Sequence, residues 1–154
     1  MDNHVFFIVE PAQLRFAYTM LPLQARRERL GRMVRANGAQ WANLRMRGAD
    51  FMKVVERLDR YIGAEEELVN SAFENSPMQI LPIGSSQEYD PLFGYYEPDR
   101  VQRYDQQFQA IPGAVIQNWE NGPNGDAIAS VVYAFRSTFA EAAKRKQGIA
   151  IDHC

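Results

Sequence analysis

The sequence contains few of the residues that usually carry chemistry, with one cysteine and two histidines among its 154 residues. Because Cys154 is the only cysteine, the chain can form no internal disulfide and no thiol pair for redox work. No serine lies in a Gly-x-Ser-x-Gly motif, and His4 and His153 are far apart in the sequence. These features argue against the common nucleophile and base arrangements of enzymes. The sequence therefore favours a non-enzymatic protein.

A glycine-rich phosphate-binding loop is also missing. The nearest segment, Gly122-Pro123-Asn124-Gly125, is followed by Asp126 rather than by a lysine and a hydroxyl residue. A proline and an acid are unfavourable beside a phosphate group. We interpret this segment as a turn, and the sequence predicts no cofactor.

Long hydrophobic runs are absent as well. No apolar stretch approaches the roughly 20 residues needed to span a bilayer, and the first residues lack the basic region of a secretory signal. We therefore expect a cytoplasmic protein with no membrane partner. With 46% apolar and 23% charged residues, the composition is that of a globular protein, and the length suits a single domain, residues 1–154.

The net charge is small, at −2, but charge is distributed unevenly along the chain. The stretch from Arg26 to Arg47 contains seven arginines and one acid, Glu28. The stretch from Glu65 to Asp126 contains eleven acids and two arginines. Such blocks can neutralise each other across the fold or can form binding faces.

Short apolar segments near both ends predict strands. His4–Glu10 is apolar, β-branched and aromatic and stops at Pro11, as is typical of a buried strand. Ile149–Ile151 predicts a short strand that needs a neighbour, and the first strand is the obvious one. Residues 40–47 are ambiguous between a strand and an extended loop. Residues 75–97 are rich in proline and glycine and predict a loop, with at most one short strand at 78–83.

Apolar residues at helical spacing predict several helices, with Asp50 as the N-cap of the third and Gly63 as its end. Three consecutive glutamates, Glu65 to Glu67, are expected in the first turn of the fourth, and the last is the clearest. The predicted helices cover about 11–21, 23–36, 50–62, 65–73, 98–111 and 128–146. Together the elements predict an α+β fold, a helix-rich single domain around a small sheet that includes the N-terminal and C-terminal strands.

Three segments resemble the YfbM-like family of small uncharacterised bacterial proteins. Phe6–Leu14 is similar to that family's opening strand and short helix, and Phe93–Val101 to its glycine-containing loop before a proline-opened helix. Phe139–Ala143 followed by Gly148 resembles its long C-terminal helix and apolar strand. The resemblance covers about half of the chain. It implies an α+β fold and no particular activity.

Three potential zinc ligands lie near the two chain ends. If the first and last strands pair antiparallel, His4 comes close to His153 and Cys154, and zinc accepts imidazole and thiolate ligands. Structural zinc sites normally hold a fourth ligand and have ligands at tight local spacing. We therefore predict that these residues are incidental and that the protein has no metal site.

The acidic stretch also contains several aromatic residues within irregular sequence. Tyrosine binds partners well because its ring is large and rigid and its hydroxyl donates a hydrogen bond. The alternative interpretation is that these rings close the core under the long loop. The predicted partner-binding residues are Tyr89, Asp90, Tyr95, Tyr96, Glu97, Trp119 and Glu120.

These observations favour a protein that binds another protein, for example a bacterial immunity protein that neutralises a basic toxin acting in the cytoplasm. One alternative is a small-ligand binder or enzyme that uses residues 77–99 as a pocket wall. Another is a nucleic-acid-associated protein that uses the Arg26–Arg47 stretch, although the negative net charge argues against nucleic acid. The sequence leaves homo-oligomerisation open.

Overall fold

The computed structural model describes residues 1–12, 23–72 and 93–154, without the side chains of residues 23–29 and Phe93. The predicted strand at 78–83 and most of the predicted helix at 11–21 lie outside these ranges. The strands are β1 (Asp2–Val9), β2 (Ala39–Met46), β3 (Phe93–Tyr96) and β4 (Gly148–His153). The helices are α1 (Leu23–Asn37), α2 (Gly48–Ile62), α3 (Glu67–Ala72), α4 (Pro98–Gln109), α5 (Gly113–Glu120) and α6 (Gly125–Arg145).

The four strands form one antiparallel sheet in the order β2-β1-β4-β3. β1 lies between β2 and β4, and its pairing with β4 places His4 opposite His153 and Phe6 opposite Ile151. The predicted pairing of the N-terminal and C-terminal strands is therefore confirmed, as is the α+β class. No helix within the described ranges is long and apolar enough to cross a membrane.

The two faces of the sheet are covered by different helices. Phe6 and Ile8 point to the face covered by the larger helical layer, and the ring of Phe6 contacts Phe51 and Phe135 edge-on. Since successive residues of a strand point to opposite faces, Phe7 and Val9 lie on the other side, where they pack against α1. The large core therefore lies between the sheet and helices α2, α4 and α6.

Two elements were not predicted. Phe93–Tyr96 was expected to be loop but forms the edge strand β3, and α5 lies outside all of the predicted helices. β3 depends on hydrogen bonds to β4, about fifty residues away in sequence, and local patterns do not show such pairing. The ambiguous segment 40–47 is largely the strand β2.

The starts of two helices differ from the prediction. Asp50 is not an N-cap, because α2 begins at Gly48 and Asp50 in its first turn accepts a hydrogen bond from Arg47 Nε at 2.9 Å. Glu65 and Glu66 have φ angles of 52° and 70°, so both lie before α3. The carboxylate of Asp59 sets this start by accepting the backbone N–H groups of Glu66 and Val69.

Gly94 allows β3 to approach the end of α3 closely. A Cβ atom at this position would lie 2.2 Å from the carbonyl oxygen of Ala72. A side chain cannot be placed there without moving backbone. The same Ala72 carbonyl accepts a hydrogen bond from His153, so Gly94 also positions that acceptor.

Candidate interaction surface

Tyr95 and Tyr96, two of the predicted partner-binding residues, are completely buried, with 0% of each exposed. Tyr95 packs with Phe7 and Val9 on the α1 side of the sheet. Tyr96 lies on the opposite side, and its hydroxyl donates a hydrogen bond to the Leu68 carbonyl at 2.8 Å. The prediction that these two rings form a binding surface is wrong, because strand pairing turns both into core.

The remaining predicted residues do not form one cluster within the described structure. Tyr89 and Asp90 lie outside the described residues, and Glu97 is half-buried before α4. Trp119 is half-buried and meets the exposed ring of Tyr61 edge-on, with the ring centroids 5.2 Å apart. Of this set, only Glu120 is exposed in a groove.

The groove lies between α6 on one side and α4 and α5 on the other, and we call it the α6 groove. Its volume is about 390 Å³. Small residues of α6 form the floor of the groove, and the ring of Tyr133 projects from the same helix. Residues that define it are Ile116, Glu120, Ala129, Tyr133, Arg136 and Ala140.

Tyr133 is the most exposed aromatic residue in the described structure. Its exposed fraction is 74%, compared with 46% for Tyr61 and 41% for Trp41. It lies in the middle of a 21-residue helix, so a rigid backbone holds its position. A large ring on such a scaffold provides contact area with little loss of conformational freedom on binding.

The connection between α5 and α6 fixes one wall of the groove. Gly125 begins α6, and a Cβ atom there would lie 1.8 Å from the carbonyl oxygen of Glu120. Asn124 precedes it with φ at 59°, in the left-handed region that asparagine tolerates. This tight turn holds Glu120 at the end of α5 beside the first turns of α6.

The lining of the α6 groove contains a single carboxylate. Glu120 lines the groove, and Asp126 lies seven residues before Tyr133, two helical turns away on the same face of α6. Asp105 accepts a hydrogen bond from Gln109, which also lines the groove. Arg136 is the only cation in the lining. The lining therefore carries one carboxylate and one guanidinium, and Asp126 and Asp105 lie outside it on the bordering helices.

Arg136 lines the groove and has a buried Nε atom. Within the described structure this atom has no hydrogen-bond partner, and a buried donor without an acceptor costs free energy. The groove therefore combines an apolar floor with one carboxylate and one guanidinium.

The basic stretch is partly used in intramolecular contacts. The guanidinium of Arg35 binds the carboxylate of Asp152, which is buried in β4. Arg47 binds Asp50 at 2.9 Å. These arginines already have carboxylate partners, so they are less available for the phosphates of a nucleic acid.

A polar network joins α3 to α4. Glu67 binds Arg100 at 3.0 Å and Arg103 at 2.6 Å, and it accepts a hydrogen bond from the Tyr104 hydroxyl. Burial on its own raises the pKa of Glu67, but the Tyr104 hydrogen bond and the two guanidinium charges outweigh it and lower the pKa. Arg100 also binds Ser71. We interpret this network as a structural contact between helices.

The potential zinc ligands only partly come together. His4 Nδ1 and His153 Nδ1 lie 2.7 Å apart in the core, whereas Cys154 is exposed. Burial and the Asp152 carboxylate raise the pKa of the Cys154 thiol, which disfavours the thiolate that a metal needs. Among the described residues, no three His, Cys, Asp or Glu side chains are arranged to hold a metal ion.

Sequence reasoning missed Tyr133, although a signal for it was present. The apolar stripe of the last helix passes through Val132 and Phe135, and Tyr133 falls outside that stripe. An aromatic residue off the buried face of a firmly predicted helix must point to solvent or to a partner. The groove itself depends on how α4 and α5 pack, which local patterns do not reveal.

In comparisons with known proteins, no family model matches the chain, and no match was found among curated proteins or solved structures. The resemblance to the YfbM-like family therefore stays a prediction.

Proposed function

We propose that this protein functions by binding another protein through the α6 groove, and that the bound segment is basic. The observation that carries this proposal is the position of Tyr133, with 74% of the residue exposed in the middle of α6 beside a groove of about 390 Å³. An exposed ring next to an apolar depression is typical of binding hot spots.

Charge complementarity supports a basic partner. Glu120 lines the groove, and Asp105 and Asp126 lie on the helices that border it, so lysine or arginine side chains of a partner gain favourable contacts and associate faster. Neutralisation of a basic toxin by an immunity protein is one form of such binding, and a toxin gene beside this gene would support it.

The experiment is quantitative affinity capture from the cell of origin with three immobilised proteins: the wild type, Tyr133→Ala and Tyr61→Ala. Tyr61 is a matched control because it is an exposed tyrosine on α2 that does not line the groove. We expect at least one basic protein to be retained by the wild type and the control but reduced at least tenfold with Tyr133→Ala, about 1.4 kcal/mol.

Two outcomes contradict the proposal. In the first, all three proteins capture the same partners in equal amounts. In the second, sedimentation shows that the wild type dimerises and that Tyr133→Ala abolishes the dimer, which makes the groove an interface between two copies of this chain.

A further inference from the structure

The second unusual site is the pair of buried histidines that joins the first and last strands. His4 Nε2 lies 3.2 Å from the Met46 carbonyl oxygen, and His153 Nε2 lies 2.8 Å from the Ala72 carbonyl oxygen. A carbonyl oxygen accepts hydrogen bonds and cannot donate them. Each Nε2 atom that donates to its carbonyl carries a proton, and the longer His4 contact is the weaker of the two.

This assignment leaves the two Nδ1 atoms facing each other at 2.7 Å. In a neutral imidazole protonated at Nε2, Nδ1 carries only a lone pair. Two lone pairs at this distance repel each other, whereas one proton between them makes a charge-assisted hydrogen bond. We propose that His4 and His153 share a single proton between their Nδ1 atoms, so that the folded chain holds a proton-binding site with one positive charge in its core.

The surroundings of the pair suit a single positive charge. Phe51 of α2 stacks on the His4 ring at 4.3 Å with an interplanar angle of 8° and contacts His153 edge-on, so its π face lies against the imidazolium. Asp2, on β1, is the carboxylate whose charge favours protonation of both rings. β2 and α3 contribute the Met46 and Ala72 carbonyl dipoles.

Other charged groups near the pair already have partners or lie elsewhere. Asp50 of α2 binds Arg47, which follows β2, and Asp152 of β4 points to the opposite face of the sheet, where it binds Arg35. The thiol of Cys154, which follows β4, is exposed.

Burial and the shared proton act in opposite directions on the titration. Burial lowers the pKa of both histidines, that of His153 to about 4, and the charge of one ring further opposes protonation of the other. A second proton is therefore excluded, whereas removal of the shared proton is resisted by the hydrogen bond that it makes. A proton shared at neutral pH opposes the direction that burial gives, and the two titration steps belong to the pair rather than to either ring.

The sign of the effect on stability follows for each step. A shared proton stabilises the fold at neutral pH until a rise in pH removes it. The lowered pKa gives stability that is lost as the pH falls from about 6.5 towards about 4. Stability should therefore be greatest between the two steps.

The test counts the proton in the wild type. Since the chain has only two histidines, nitrogen NMR of the rings is unambiguous. At pH 7.5 we expect the Nε2 atoms of His4 and His153 both to be protonated. We also expect one strongly deshielded proton, the shared one, to couple to the Nδ1 atoms of the two rings. Calorimetry in buffers of different ionisation enthalpy measures the number of protons released on unfolding. The wild type should release about one proton more than the double variant His4→Gln/His153→Gln.

Both proteins contain Cys154, so any proton that its thiol exchanges on unfolding cancels in the difference between them. The NMR measurement needs no variant, so it decides the matter even where the double variant fails to fold. Two neutral rings at pH 7.5, with His4 protonated at Nδ1 instead of Nε2, would overturn the proposal. Equal proton release from the two proteins would also overturn it.

Discussion

The inner and outer faces of α6 contain the same kinds of residue but differ in what surrounds them. On the inner face, Phe135 and Phe139 stack against each other 5.7 Å apart and meet rings from several other elements. On the outer face, Tyr133 stands beside Ala129 and Ala140 with most of its surface in solvent. One face stabilises the fold, and the other is free to bind.

The comparison shows why aromatic content alone did not locate the proposed binding surface. Tyr95 and Tyr96 belong to a segment rich in acids and turn formers, yet both are core. Tyr133 belongs to the most regular helix, and it is exposed. Whether a ring is available to a partner depends on the face it occupies within its element, and less on the composition around it.

The largest expected effect concerns the inner face. Phe135→Ala removes a ring that contacts Phe6, Phe108 and Phe139, so it should lower the free energy of unfolding by about 3–5 kcal/mol. Urea denaturation measures this loss. A loss below about 1 kcal/mol would show that α6 is not part of the core, and the distinction between its two faces would fail.

A smaller loss is expected at the edge of the core. Tyr96→Phe keeps the ring but removes the hydroxyl that binds the Leu68 carbonyl, so the free energy of unfolding should fall by about 1–3 kcal/mol. The buried carbonyl oxygen of Leu68 then lacks the hydrogen bond that the Tyr96 hydroxyl donates to it. A variant as stable as the wild type would argue that Tyr96 is not held as described and would reopen its role as a surface residue.

The polar contact between α3 and α4 should appear as a pH dependence. Because the pKa of Glu67 is lowered on folding, its contribution to stability is present above the unfolded value of about 4.3 and is lost as the pH falls through the folded value. Glu67→Gln should therefore show a smaller drop in urea midpoint between pH 5 and pH 3 than the wild type does. Identical drops in the two proteins would contradict a stabilising role for this carboxylate.

The smallest effect on stability is expected on the outer face. Tyr133→Ala removes a ring that is mostly in solvent, so the free energy of unfolding should change by no more than about 0.5 kcal/mol. The same denaturation measurement as for Phe135→Ala gives the value. A loss comparable to that of Phe135→Ala would place Tyr133 in the core and remove the basis for the proposed binding surface.

Much of the fold could be predicted because its signals are local. The periodicity of Ile128 to Ala143 and the apolar ends of the chain were sufficient for α6, β1 and β4. β3 could not be predicted, because its four residues become a strand only by pairing with β4. The α6 groove requires three helices to pack correctly. Antiparallel pairing of the end strands predicted that His4 lies near His153, but the 2.7 Å contact requires the strand register. These features arise from contacts distant in sequence.

The central claim is that the α6 groove, with Glu120 on its α5 wall, binds a basic partner. The most direct test is a titration of the captured partner with Glu120→Lys, using Glu56→Lys as a control with the same change in net charge on α2 and outside the groove. We expect Glu120→Lys to raise Kd at least tenfold, with Tm unchanged and the control within about twofold of the wild type. Equal Kd values for the two variants would contradict the claim, because the partner would then respond to net charge rather than to this surface.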